Sequence, residues 1–171
     1  MKENIVLFVT DRLAVRRFKQ DDAPLLYKYS REESHKELPN DIFDSEEDAE
    51  SRLDLAISNY RIEHLPVYFG VVKKEGNLLI GVLSFKRRPD YNIQINISIA
   101  EEYQSKGYGT ELVKAAVEYA KHHFGIDEIY ACPRSSNVAA RATLDKAGFM
   151  LLEEKETDWF GSEQPVCIYQ I

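Results

Sequence analysis

Cysteine is scarce in this chain. The two thiols, Cys132 and Cys167, form no CxxC and lack the spacing of a zinc site. Neither a disulfide framework nor structural zinc is expected, and a reduced, cytoplasmic setting is the default. Positive charge is also in short supply: 22 Lys and Arg face 29 Asp and Glu, a net charge of -7. Nucleic-acid binding needs a basic footprint to neutralise phosphates, so it is not expected. No apolar run approaches the roughly 20 residues that a membrane span requires, and no membrane association is expected. The apolar run from Ile5 to Val9 is cut off by Asp11-Arg12 and has no small-residue cleavage site, so it does not read as a secretory signal. Internal repeats, low-complexity tracts and linkers are missing. His35 and His64 stand alone, and His122-His123 suit the last turn of a helix, so no metal site is expected.

What remains is a soluble, globular composition. Hydrophobic residues make up 44% of the 171 and charged residues 30%, which fits one domain over residues 1–171 with a sizeable core. Short strands are expected at Ile5–Val9 and from Leu13. Gln20-Asp21-Asp22-Ala23-Pro24 opens a helix carrying Leu25, Leu26 and Tyr29, because acidic residues and Pro suit a first turn. Residues 31–43 show no period and read as a loop or broken helix. Ser45-Glu46-Glu47-Asp48 has a capping-box pattern ahead of an amphipathic helix through Tyr60. Val67–Val72 and Leu78–Phe85 form a hairpin. Ile93, Ile95, Ile97 and Ile99 then alternate with Asn92, Gln94, Asn96 and Ser98, a strand with one apolar face. A helix from the following loop to Gly125, a strand at Glu128–Cys132, a helix from Asn137 to Gly148 and strands at Phe149–Glu156 and Val166–Ile171 complete the chain. A strand-helix-strand unit among hairpins implies an α/β (α+β) fold, a mixed and mostly antiparallel twisted sheet with helices on its faces.

Gln104-Ser105-Lys106-Gly107-Tyr108-Gly109-Thr110 joins a strand to a helix. A helix start offers unpaired N–H groups and the positive end of a dipole, and glycines let backbone approach a phosphate. The same glycines would also serve an ordinary turn. A Walker A loop needs Lys after its second Gly, but Lys106 precedes Gly107. A dinucleotide fingerprint needs a third Gly where this chain has Leu112.

The loop resembles the Q/R-x-x-G-x-G/A signature of the GNAT superfamily of N-acetyltransferases. Asn137 opening a helix that ends in Gly148-Phe149 fits the same family. Thr10-Asp11-Arg12-Leu13-Ala14-Val15-Arg16 and the hairpin at Leu79-Ile80-Gly81 resemble the branch of ribosomal-protein N-terminal acetyltransferases. The resemblance implies a GNAT-like sheet with a central splayed parallel strand pair. It implies acetyl-CoA as cofactor, its pyrophosphate on Gln104, Ser105, Lys106, Gly107, Tyr108, Gly109 and Thr110. The pantetheine arm would add to the strand at Ile97 and Ile99, with Asn137 and Arg141 close by. The acceptor would be a primary amine, on a small molecule, a protein N-terminus or Lys. Tyr29, Glu37, Gln94 and Asn96 are its candidate contacts, and the acidic bias of residues 29–43 suits a cation. A homodimer is compatible with the family.

The proton chemistry has no owner in the sequence. Many relatives in the branch have Glu where this chain has Gln94, many GNAT enzymes have a Tyr donor where it has Leu144, and some relatives have Ser where it has Ala140. No catalytic residue is therefore assigned. A CoA-binding module without catalysis is the competing expectation.

Overall fold

The computed structural model describes residues 5–38, 42–61, 65–90, 92–159 and 161–171. Eight strands form one sheet: β1 Val6–Val9, β2 Leu13–Arg16, β3 Val67–Lys73, β4 Leu78–Arg87, β5 Ile93–Ile99, β6 Ile129–Ala131, β7 Met150–Trp159 and β8 Ser162–Gln170. Their spatial order is β1-β2-β3-β4-β5-β6-β8-β7, and every pairing is antiparallel except β5 with β6. Four α-helices accompany the strands among the described residues: α1 Ala23–Ser30, α2 Glu46–Asn59, α3 Tyr108–Phe124 and α4 Val138–Ala147.

Strand alternation sends side chains to two separate cores. Val71, Ile80, Leu83, Ile93 and Ile95 pack with the apolar stripes of α3 and α4, including Leu112, Val113, Ala116 and Leu144. Val72 and Leu79 face the other way, onto Leu26 of α1 and Ala49 and Leu53 of α2. Helices thus cover both faces, each Val, Leu or Ile side chain so buried contributing about 1.5–3 kcal/mol. The α2 cap forms in half. Ser45 accepts the Asp48 N–H (3.1 Å), while the Asp48 carboxylate takes the Asp44 N–H (3.1 Å) and not that of Ser45. Pro24 falls in the first turn of α1, behind a short 3-10 turn at Gln20–Asp22. The irregular segment resolves into a 3-10 strap at Glu33–Glu37, while its Pro39-Asn40-Asp41 lies outside the described residues, as does His64. The last hairpin is longer than its sequence signal, because register rather than composition extends β7 and β8.

One feature of the sheet positions the site. The parallel pair is held by only two registered positions, Ile93↔Ile129 and Gln94↔Tyr130. Past Ala131 the chain leaves β5 and stays with β8. The Cys167 N–H donates to the Pro133 carbonyl (2.9 Å), the Ser135 N–H to the Pro165 carbonyl (2.8 Å), and Arg134 bridges to Val166. Pro133 has no N–H to offer β5 in any case. β5 continues to Ile99, paired with β4 along its whole length but, among the described residues, with no strand on its other side past Gln94. The sheet splays open there.

Candidate active site

A cavity of about 540 Å³ occupies the splay. One wall is β5 from Ile95 to Ile99, the other is Ala131–Arg134 with the start of α4, and the loop before α3 closes one end. Of the residues expected to hold the cofactor, Ile97, Ile99, Gln104, Ser105, Gly107, Gly109, Thr110 and Asn137 line it. Lys106, Tyr108 and Arg141 do not. Lys106 Nζ folds back to the Glu102 carbonyl (2.6 Å). Tyr108 is buried in the core at the start of α3. Arg141 donates to the Ser135 carbonyl (3.0 Å) and the Tyr169 hydroxyl (3.4 Å), and the Tyr169 contact raises its already high pKa.

The loop is built to leave its amides free. Ser105 (φ 58) and Gly107 (φ 82, ψ 0) both take left-handed conformations, and Gly107 is the N-cap of α3 with no side-chain cap. From Ser105 through Thr110 no backbone N–H has a hydrogen-bond partner among the described residues. Such a run beside the positive end of a 17-residue helix has the geometry that suits an anion.

A clamp holds this conformation, and sequence reasoning quoted Thr10 and Arg12 without seeing their role. The Arg12 backbone N–H donates to Glu111 Oε1 (2.9 Å) and its Nε to Oε2 (2.7 Å). Its Nη1 donates to the Lys106 carbonyl (2.9 Å), and the guanidinium lies 4.2 Å from the Tyr108 ring centroid. Thr10 Oγ1 donates to Glu111 Oε1 as well (2.5 Å). Burial works to raise the Glu111 carboxyl, but the Thr10 and Arg12 hydrogen bonds outweigh it and hold it below the usual carboxylate range. The signal that could have found the clamp is the Thr-x-Arg opening itself, which the fold places against α3. Glu111→Ala is expected to weaken acetyl-CoA binding about fivefold, the equivalent of about 1 kcal/mol for a partly exposed charged network. Titration calorimetry checks this, and Glu111→Gln should lose less.

A second cavity, of about 260 Å³, lies on the opposite side of β5 between α1, α2 and the sheet. Its walls are mostly apolar, with Leu26, Phe43, Leu53 and Val82, and Tyr29 lines it. Gly81 matters here: a Cβ at that position would sit 2.2 Å from the Ser98 carbonyl oxygen, so only Gly lets β4 pass β5 this closely. His35 and Ser98 line both cavities.

The acceptor candidates divide. Asn96 and Glu37 line the larger cavity, Tyr29 the smaller one, and Gln94 neither; its amide is buried and donates to Asn96 Oδ1 (3.2 Å). The acidic residues of the strap are occupied by internal partners. Glu32 accepts the Glu101 N–H (2.9 Å), Glu33 pairs with Lys36 (2.6 Å), and Glu37 takes a two-pronged contact from Arg134 (2.7 and 2.9 Å). The charge bias of residues 29–43 therefore gives no free patch for a cation among the described residues. Tyr29 donates to the Leu79 carbonyl (2.9 Å). Burial, with Tyr103 and the carboxylates of Glu102 and Glu32, pushes its hydroxyl up to about 12. Cys132 lines the larger cavity with Arg88 Nη1 3.2 Å from its sulfur. Burial raises the thiol, and Arg88 only partly offsets this. Among the described residues no cluster could hold a metal, and no helix is long and apolar enough to cross a membrane.

A helix start with free amides at a splayed parallel pair defines a class, and comparison with known proteins bears on it directly. A sequence profile of the acetyltransferase (GNAT) domain matches residues 12–150. The chain belongs to this family, whose members transfer acetyl from acetyl-CoA. It is 27% identical over 141 residues to the uncharacterized N-acetyltransferase YnaD of Bacillus subtilis (strain 168), covering 81% of this chain and 79% of that protein. The fold resembles the crystal structure of a GNAT-family acetyltransferase from Bacillus anthracis (TM-score 0.82, 20% identity, 95% and 96% of the two chains). It also resembles RimL, a ribosomal L7/L12 α-N-protein acetyltransferase solved in complex with coenzyme A (TM-score 0.81, 18% identity, 97% of each chain).

Proposed function

We propose that this chain is an acetyl-CoA-dependent N-acetyltransferase that binds its cofactor in the cavity between β5 and β6. The observation that carries the reading is the run of unpartnered N–H groups from Ser105 to Thr110 at the mouth of the splay. Bound acetyl-CoA supplies the activated acetyl group as a thioester. The loop amides suit its pyrophosphate, and the open side of β5 at Ile97 and Ile99 suits the amide-bearing arm as an added strand. Asn137 caps α4 through the Ala140 N–H (3.1 Å) and faces the same space, so its capping and binding roles are compatible. A main-chain N–H on the open side of β5 would then stabilise the oxyanion.

Direct attack by a primary amine fits better than a covalent cysteine intermediate. A thiol whose pKa is raised by burial is a poor source of thiolate. Cys132→Ala is therefore expected to turn over normally, and intact-mass spectrometry of wild-type protein with acetyl-CoA alone should show no acetyl adduct. An acetylated Cys132 would overturn direct attack.

The acceptor reading favours an amine on an apolar body, such as a peptide N-terminus, because the cavity beyond Ser98 is mostly apolar. The test is acetyl-CoA with a panel of short peptides beginning Ser, Ala, Thr or Met, beside spermidine and free Lys, read as acceptor-dependent thiol release. Turnover with a peptide is expected. Tight binding of acetyl-CoA with no turnover across the panel would favour the non-catalytic module instead.

A further inference from the structure

We infer that His35 is the catalytic base, taking the proton from the acceptor amine at the junction of the two cavities. The inference rests on the acetyltransferase reading above. It supplies an owner for the proton that positions 94, 140 and 144 leave unassigned.

Geometry comes first. The strap Glu33–Glu37 is pinned on both sides of the splay. On one side the Glu32 carboxylate accepts the Glu101 N–H (2.9 Å), the Ser34 N–H donates to Glu101 Oε1 (2.8 Å), and Gln104 Nε2 donates to Ser34 Oγ (3.4 Å). On the other side Glu37 is gripped by Arg134. His35 sits midway, 7% exposed, and with Ser98 it is the wall shared by the larger cavity and the apolar side cavity. An amine in the side cavity that reaches β5 at Ser98 lies against the same wall as this imidazole.

Chemistry narrows the choice further. Glu101 beyond β5 acts on the His35 charge, and the polar groups that line a cavity with it include Ser98 of β5, Tyr29 of α1 and the Glu37–Arg134 pair. Tyr29 is too weak an acid and already donates to Leu79. Glu101 is taken up by the Ser34 N–H and Glu37 by Arg134. No hydrogen bond of the His35 ring is found among the described residues. Burial lowers its pKa and the Glu101 charge only partly restores it, so the ring is neutral at neutral pH, the form a base requires.

The step balances as follows. As the amine nitrogen bonds to the acetyl carbon, its N–H proton passes to a ring nitrogen of His35. The C–S bond then breaks with its electron pair on sulfur. The imidazolium returns the proton to that thiolate, directly or through water, and His35 is neutral again.

The test uses the full chain with acetyl-CoA and the fastest amine of the panel. His35→Asn is expected to bind acetyl-CoA within about twofold of wild type but to lose about 100-fold in kcat, the lower range for general-base catalysis. The acid limb of kcat, expected below the ordinary 6.5 of histidine, should vanish with it. His35→Ala should be partly rescued by added imidazole, which a structural role would not allow. A kcat within about threefold of wild type, with the acid limb intact, would overturn the inference. Loss of acetyl-CoA binding in the wild-type protein would instead remove the site reading on which it rests. An independent readout needs neither variant nor turnover. By NMR the His35 ring of wild-type protein should titrate below 6.5 and shift when acetyl-CoA binds; titration above 6.5 with no shift would also overturn it.

Discussion

Gly107→Val should fold and yet bind acetyl-CoA at least about tenfold more weakly, a loss of about 1.4 kcal/mol. The cause is the backbone. Gly107 holds φ 82 and ψ 0 as the N-cap of α3, and the free amides on either side depend on that turn. A β-branched residue in the left-handed region is an outlier, and even an ordinary L-residue there costs about 1–2 kcal/mol. The added Cβ itself meets only the end of the Arg12 side chain, at 3.3 Å, which can yield. Two companions therefore separate the causes. Gly107→Asn tolerates the left-handed region and should keep most of the affinity. Should Asn bind as poorly as Val, close approach of the ligand matters and not the torsion. Unchanged affinity in folded Gly107→Val protein would remove the loop from the site altogether.

Asp22→Ala should lower unfolding stability by about 3–5 kcal/mol, measured by urea denaturation. Asp22 and Arg16 form a two-pronged pair (2.7 and 2.8 Å) with both side chains only 8% exposed. Asp22 also accepts the Lys19 N–H (2.8 Å), which turns the chain from β2 into α1. Removing the carboxylate leaves a buried guanidinium without its counter-charge, costlier than losing an exposed pair. Replacing both partners with apolar residues of similar volume, as in Arg16→Met with Asp22→Leu, should recover much of the loss. A loss under about 1 kcal/mol for Asp22→Ala would mean that water reaches Arg16.

These cases mark how far the sequence could be read. The Ile93–Ile99 alternation identifies β5 because a strand with one covered face has a period of two. Gly125 and Gly148 end α3 and α4 in left-handed caps for the reason their positions suggest. The glycine loop is legible because its chemistry is local. The splay is legible through the family resemblance but not from the residues' own pattern, since it depends on Cys132–Ser135 preferring β8 over β5, a choice of long-range register. The clamp joins Arg12 to Glu111 across 99 positions, and the strap joins Glu37 to Arg134 across 97. Lys106 and Arg141 illustrate the opposite limit. A charge beside a phosphate loop in sequence carries no direction, and here both side chains find carbonyls of their own chain. His35 has no periodic context at all; only the fold shows that it borders both cavities.

The most direct measurement is a backbone amide titration of the labelled protein with coenzyme A. The account predicts the largest shifts from Ser105 to Thr110, joined by Ile97 and Ile99 on the open side of β5. Binding that leaves those amides unmoved would contradict it.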